Sequence, residues 1–506
     1  MDFFALSLNH SAISPLKDFL KNSSVVKIMH NGKFDVKFLK MAGFSVNETI
    51  FDTLLGSRLL EAGKGKVGFK LLQVVERYLG IVMDKSQQLS DWQKEELSEA
   101  QLLYAARDAS VLLPLYHVEQ RKLAQSELLE AMRIESRCLL TVADIELNGM
   151  LVNQTKWKEL AEELTFHHLN ITEHLRQKLN LPEDTTINYN SQPQILEVLR
   201  SLGITMPNGN LIGDTNDWTL SKLEKWPAVA ALREYRKITK AISAFVVKLP
   251  KHISNTTGRI HPNFNQYGAE SGRFSCDNPN LQQIPRDPRF RSCFIPSPHH
   301  KFVIADFSQI ELRKEDLHRL TASLVTGKPL ATIQSADRQL AKAVNFGLIY
   351  GMSIWKFRDY AENYYGVKLS MKEATLFYSN FFKHYKGIYA WHDAAKTLRP
   401  VETRTLSKRR ALLDKASFTK VLNYPVQGTS ADITKESLAN LPAALSSLNA
   451  RIVMCVHDEI IIEAPENQAE ESKKILIREM ESAGNKFLKL VPCVADAVIG
   501  NSWAAK

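Results

Sequence analysis

The sequence predicts an α/β protein of more than one domain, and three observations carry that reading. The chain has 506 residues, more than a single ordinary core organises. Residues 1–125 alternate short apolar strand-like runs with helical ones, whereas most of the remaining chain has helical periodicity. Two strong strand signals, at 301–306 and 451–463, stand out within that helical remainder.

The front 125 residues carry an apolar run at 25–29, then periodic runs at 34–40 and 71–79. From 126 to 250 the pattern is mostly helical, broken by turn-rich stretches at 182–193 and 207–217. A segment rich in Gly, Pro and Asn at 255–288 precedes the first strand, helices are expected over 316–400, and the last hundred residues hold the second strand signal. We find no internal repeat or low-complexity tract. Hydrophobic residues make up 44% of the chain, and no apolar run reaches membrane-spanning length. The opening Met1-Asp2-Phe3-Phe4 lacks the basic stretch of a signal or transit peptide. Cys138, Cys276, Cys293, Cys455 and Cys493 are scattered without a C-x-x-C pair, which argues against zinc or a disulfide framework and suits a reducing compartment. The formal charge of +10 fits a polyanionic partner, although a basic soluble protein without one is equally compatible with charge alone.

Chemistry concentrates at the two strands. Asp306 closes the first, and Asp458 with Glu459 interrupts the second where a hairpin would turn. Neighbouring strands lie about 4.8 Å apart, so such ends can bring carboxylates together. Clustered acids repel unless a cation neutralises them, and Mg²⁺ shared between carboxylates and substrate phosphates is a common solution. A single acid at a strand end is also an ordinary solvated turn residue. Residues 337–350 read as one helix with an apolar stripe, Leu340, Val344 and Leu348. Arg338, Lys342, Phe346 and Tyr350 form a second line at steps of four, two cations suited to phosphates and then two aromatics suited to a base or sugar. Alone, this line also fits the mixed face of an amphipathic helix.

Taken together these words become specific. Asp306-Phe-Ser-Gln-Ile-Glu-Leu-Arg, Arg338-x3-Lys-x3-Phe-x3-Tyr-Gly and Val456-His-Asp-Glu resemble motifs A, B and C of family A DNA polymerases, in their order. The stretches 257–261, 271–275, 279–285 and 423–432 are similar as well, so the resemblance spans nearly the whole chain. It implies a right-hand polymerase over 126–506, with a thumb near 131–250, a palm at 251–315 and 416–506, and fingers at 316–415. It also implies primer–template DNA and deoxynucleoside triphosphates as partners and two Mg²⁺ ions as cofactor. Asp306 and Asp458 match the metal ligands, with Glu459 beside them in the catalytic group. Gln309, Glu311, His318, Arg338, Lys342, Phe346 and Tyr350 match nucleotide contacts, Glu311 being the side chain that crowds a 2′-hydroxyl. Arg273, Asn280, Gln282, Asn423, Gln427 and His457 match residues near the primer–template minor groove, where acceptors common to every correct pair can be checked without reading sequence. Basic clusters at 233–240 and 408–410 fit DNA contact or, taken singly, solvated helix faces.

The front residues 1–125 resemble an RNase H-like 3′–5′ exonuclease of the DEDD type. His30-Asn-Gly-Lys-Phe-Asp35 and Tyr104-Ala-Ala-Arg-Asp108 are similar to its second and third motifs, and the segment 79–92 between them is similar too. The resemblance makes Asp108 a metal ligand, Asp35 a carboxylate of the same site, and Tyr104 the group orienting the attacking water. The first motif, a D-x-E on the opening strand, is absent: Asp2-Phe-Phe offers no Glu at the needed position. Proofreading is therefore expected to be lost, and no 5′-nuclease region is expected ahead of it. Two further departures fall in the polymerase-like part. Only Lys314 and Glu315 separate Arg313 from Asp316, a link shorter than the family's and expected to disturb both Asp306 and His318. Ser407-Lys-Arg-Arg replaces a glycine-led arginine run, and Thr419 stands where arginine is common. The reading is a template-dependent DNA polymerase acting in replication or repair, cytoplasmic and nucleoid-associated in a bacterial or phage setting, with no membrane partner. A non-catalytic DNA-binding relic is the alternative, and an RNase D-like exonuclease is disfavoured by the missing acids.

Overall fold

The structure, a computed structural model, describes residues 14–94, 96–207, 209–307, 316–398, 401–413 and 418–506. Asp2, Gln309, Glu311 and the link at 313–315 lie outside the described residues.

In the front unit β1 (Lys27–Met29) and β2 (Ile50–Asp52) pair in parallel, connected through α1 (Gly32–Met41). Asp52 ends β2 and caps α2 (Thr53–Glu61), accepting from the amides of Leu54 at 2.8 Å and Leu55 at 3.4 Å. The same buried carboxylate accepts from Asn31 and Gly32 at 3.1 and 2.8 Å where α1 begins. One acid thus satisfies the orphan amides of two helix starts, fixing the turn of the chain around it. Helix α3 (Leu112–Gln125) packs on α2 and leads into α4 (Leu129–Asn148). The front unit docks on α4 through charge: Lys33 and Lys37 donate to the two oxygens of Glu146 at 2.5 and 2.6 Å, and Lys40 pairs with Asp144.

A second core gathers around α5 (Gln154–Lys178) and α6 (Pro227–Ala241). The basic run at 233–240 lies in α6, and its arginines are spoken for. Arg233 pairs with Asp217 and Glu224, and Arg236 donates to the carbonyls of Tyr189 and Thr215. Arg236 is thereby an internal fastener, whereas Arg233 is held in surface ion pairs.

The largest core surrounds an antiparallel sheet. Its strands are β3 (His300–Phe307), β6 (Arg451–Val456), β7 (Glu459–Pro465) and β8 (Ala495–Gly500), in the order β6–β7–β3–β8. Strands β4 (Glu402–Arg404) and β5 (Arg410–Leu412) form a separate hairpin. The expected strand at 301–306 and the expected hairpin at 451–463 are therefore neighbours, because β7 pairs with both β6 and β3. Helices α9 (Phe418–Ala444) and α10 (Ala469–Phe487) pack against one another and buttress this unit.

The described residues between β3 and the β4–β5 hairpin are mostly helical, as the periodicity predicts. Helices α7 (Leu317–Thr326) and α8 (Ser335–Leu348) pack together. The stripe Leu340, Val344 and Leu348 is buried, and the opposite line is left accessible. The helix ends at Leu348, so Tyr350 projects from the turn beyond it and before Gly351, whose φ is +81°.

The β4–β5 hairpin was not foreseen in the sequence, and it overturns the reading of the central arginine of its basic cluster. Arg409 is completely buried and bonded to Glu135 and Asp432, so it is neither a DNA contact nor a solvated face. Lys408 occupies the left-handed region at φ +71°, a conformation that glycine adopts without strain. This is the physical reason a glycine-led run suits the turn.

Candidate active site

Asp306 is the penultimate residue of β3, and Asp458 lies in the two-residue turn between β6 and β7, whose last pair is Val456 with Glu459. His457 opens that turn at φ +59°, an unusual state for a residue with a side chain. The turn sets the following carboxylate close enough to Asp306 for their charges to interact. Burial, then the charge of Asp306, push the Asp458 carboxyl upward, with His457 and Arg273 opposing. The Oδ1 of Asp306 is buried without a hydrogen-bond donor, and its Oδ2 lies 3.4 Å from the ammonium of Lys506. Two acids close enough for the charge of one to raise the other, the first with an orphaned buried oxygen, form a donor set that fits a divalent cation.

Glu459 departs from the role expected of it. It is buried, its Oε1 accepts from the indole of Trp503 at 2.7 Å, and its Oε2 lies 3.5 Å from Arg291. The guanidinium of Arg291 also stacks on Trp503 at 4.5 Å. Both Glu459 oxygens are committed to Trp503 and Arg291, so this residue anchors the hairpin and stands apart from Asp306 and Asp458. Nothing in the sequence marks Trp503, Arg291 or Lys506 for these contacts, since each lies far along the chain from its partner.

A cleft of about 540 Å³ opens beside Asp458 and is lined by Arg273, Tyr350 and Gln427 among others. Arg404, Thr405 and Leu406 of the β4–β5 hairpin complete its wall. Burial raises the Tyr350 hydroxyl, with Arg273 opposing. Asn423 and Gln427 lie one turn apart on α9, with Gln427 donating to Asn423 at 3.5 Å. Gln282 donates to the carbonyl of Cys455 at 3.2 Å, which ties it to the strand leading to Asp458. Asn280 is half-buried and its Oδ1 has no donor.

The remaining predicted residues assemble on α7 and α8. Asp316 caps α7 through the His318 amide and bonds Arg338, which orients that guanidinium. The His318 ring is buried, meets the Asn345 side chain at 3.1 Å and lies 5.7 Å from the Phe346 ring. Phe346 is 43% exposed, which leaves its ring accessible on the same face as Lys342. Lys342 is half-buried on the same line.

In the front unit, Tyr104 and Asp108 face a separate cleft of about 850 Å³ with His30, Phe34 and Arg58. Burial raises the Asp108 carboxyl, and its bond to Tyr104 opposes this. Asp35 still reaches solvent, yet partial desolvation and the neighbouring Asp52 push it up to about 6. Among the described residues no group of three or more His, Cys, Asp or Glu gathers around a common point. No helix among them is long and apolar enough to cross a membrane.

Residues 155–505 match the family described as DNA polymerase family A, and residues 2–124 match that described as 3'-5' exonuclease. DNA polymerase I of Aquifex aeolicus is 36% identical over 540 residues, covering 97% of this chain and 90% of that protein. DNA polymerase I of Chloroflexus aurantiacus is 29% identical, and this chain spans 56% of its length. DNA polymerase I of Treponema pallidum is 28% identical, with 52% of its length spanned. The chain therefore corresponds to about half of those two relatives. A solved structure described as the POL domain of Pol1 from M. smegmatis, in complex with DNA primer-template and dNTP, superposes with a TM-score of 0.83. That structure is 25% identical, with 97% of this chain and 88% of that one covered.

Proposed function

This chain belongs to DNA polymerase family A, and from that premise we propose that it extends a DNA primer along a template from deoxynucleoside triphosphates. The observation that carries the proposal is the meeting of Asp306 and Asp458 at two strand ends, beside a cleft that also holds Arg273, Tyr350 and Gln427. Two Mg²⁺ ions, when bound there, would lower the pKa of the primer hydroxyl and neutralise charge on the departing pyrophosphate. Asp306 and Asp458 supply the carboxylates, and the anchored Glu459 fixes the hairpin that presents Asp458. Arg338 and Lys342 offer a fork and a point charge to the triphosphate, with Asp316 holding the fork in place. Phe346 and Tyr350, with Glu311 and Gln309, lie on the segments that would meet the sugar and the templating base. Arg273, Asn280, Gln282, Asn423, Gln427 and His457 would follow the minor groove.

The front unit keeps the exonuclease fold, and we read its proofreading as lost. Asp35 and Asp108 correspond to two of the four acids, and no D-x-E occurs within residues 1–125. In a bacterial or phage cell such an enzyme would act on the nucleoid.

Replacing Asp306 or Asp458 with Asn tests the central claim. Each variant should lose primer extension by at least about a thousandfold, as expected when a metal-facing charge is removed, while still binding primer–template. Substantial Mg²⁺-dependent extension by either variant would remove that residue from the mechanism. A mismatched primer end should stay intact on prolonged incubation; degradation abolished by Asp108→Ala would restore proofreading to the front unit.

A further inference from the structure

The front unit touches the wall of the polymerase cleft at two points, and neither contact involves its own exonuclease-type acids. At the first, the amide of Leu412 in β5 donates to the carbonyl of Ala62 at 2.9 Å. Gly63 makes this approach possible. Its φ is +92°, and a Cβ there would lie 2.2 Å from the Leu412 carbonyl oxygen and 2.5 Å from its nitrogen. Backbone meets backbone, so no side chain can swing aside. The hairpin held in this way carries Arg404, Thr405 and Leu406, which line the cleft beside Asp458.

At the second point, Arg58 of α2 donates to the carbonyl of Tyr267 at 2.9 Å. Its guanidinium is held flat by the Phe69 ring, 4.7 Å away. Tyr267 begins the loop that returns at Arg273, since the amides of Gly268 and Ala269 both donate to the Arg273 carbonyl at 3.0 Å. Arg409 joins the two contacts from behind. Its guanidinium lies 5.0 Å from the Tyr267 ring, and a Cβ on Gly272 would fall 2.8 Å from it. The loop carrying Arg273 and the hairpin carrying Arg404–Leu406 thus share one buried cation and are each fastened to the front unit.

We propose that the front unit braces the polymerase cleft, with Arg58 and Gly63 as positioning residues for nucleotide addition. This rests on the polymerase reading above. An offset of about 1 Å in a reacting geometry costs on the order of a hundredfold in rate, so a slackened wall should show first in turnover. The described hydrogen bonds and ion pairs of helix α8, which carries the proposed triphosphate contacts, involve neither fastening point, so the nucleotide KM should hold.

The test is steady-state primer extension by the full chain, comparing the parent with Gly63→Ala, Arg58→Gln and Arg58→Lys, alongside thermal unfolding. If the parent does not extend a primer, the polymerase reading itself fails. Given an active parent, we expect Gly63→Ala and Arg58→Gln to lower kcat by about tenfold or more with the nucleotide KM within about twofold. Arg58→Lys, which keeps a donor for the Tyr267 carbonyl, should recover most of the loss. Arg58→Gln disturbs only a half-buried side chain and keeps the comparison informative should Gly63→Ala fold poorly. Parental kcat in Arg58→Gln would overturn the brace, as would a loss that raises KM equally or that Arg58→Lys does not relieve.

Discussion

Glu119 is wholly buried in the front unit, and neither carboxylate oxygen meets a hydrogen-bond donor. Desolvation and then the nearby Asp52 push its carboxyl well above the ordinary range, against the pull of Arg77. A carboxyl raised on folding stabilises the fold in its protonated form. That contribution is complete below the unfolded value of about 4.5 and disappears as pH rises through the higher folded value. Glu119→Gln removes the titration while keeping the shape. The variant should differ least from the parent at the acid end of the range and exceed it by about 1–3 kcal/mol near pH 8. Paired thermal melts between pH 5 and 9 would show this as curves that diverge upward for the variant; parallel curves would mean Glu119 is not titrating on unfolding. At this scale the sequence was informative where chemistry repeats in recognisable words, as at Asp306, Arg338 and Asp458. It was silent on Glu119, Arg291, Trp503 and Lys506, whose environments come from segments distant in the chain.

Four ionised side chains, Glu135 of α4, Arg409 of β5 with the turn before it, and Asp432 and Lys435 of α9, meet with no solvent exposure at all. Glu135 accepts from Arg409 at 2.6 Å and from Lys435 at 2.5 Å, and Asp432 accepts from Arg409, Thr405 and Ser407. Their charges sum to zero, which is what lets them be buried together, but the balance fails if one is removed. Lys435→Met should therefore destabilise the chain by about 3–5 kcal/mol, leaving Arg409 as the one cation shared by Glu135 and Asp432. Thermal unfolding with and without Glu135→Gln in the same chain checks it: the second change should recover part of the loss, and purely additive losses would show that the charges are not coupled. Elements with a clear period were readable in advance, and α8 with the strands β3, β6 and β7 kept to that pattern. The β4–β5 hairpin was not, because its strands are three residues each, its turn lacks glycine, and its stability comes from the buried charges it brings to two other helices.

Over the whole molecule the formal charge of +10 invites a simple electrostatic account of DNA binding, and the structure makes that account more selective. Arg233, Arg236, Arg259, Arg409, Lys33 and Lys435 all spend their charge or donors on internal partners. Net charge consequently says little about how many phosphates the protein neutralises. That number is read from the salt dependence of primer–template binding, because each neutralised phosphate contributes about −0.9 to the slope of log K against log salt on duplex DNA. Lys408 stands at the exposed tip of the hairpin whose neighbouring residues line the cleft, so it is free to reach the backbone. Lys408→Gly should lessen the slope by roughly 0.9. The same change relieves the left-handed strain at this position, by about 1 kcal/mol, so the variant should also melt higher than the parent. Fluorescence anisotropy with a labelled primer–template across a salt series, paired with thermal melts, separates the two effects. An unchanged slope with a raised melting temperature would place Lys408 off the DNA path while keeping the account of its strain. A lessened slope with no gain in stability would confirm the contact and refute the strain.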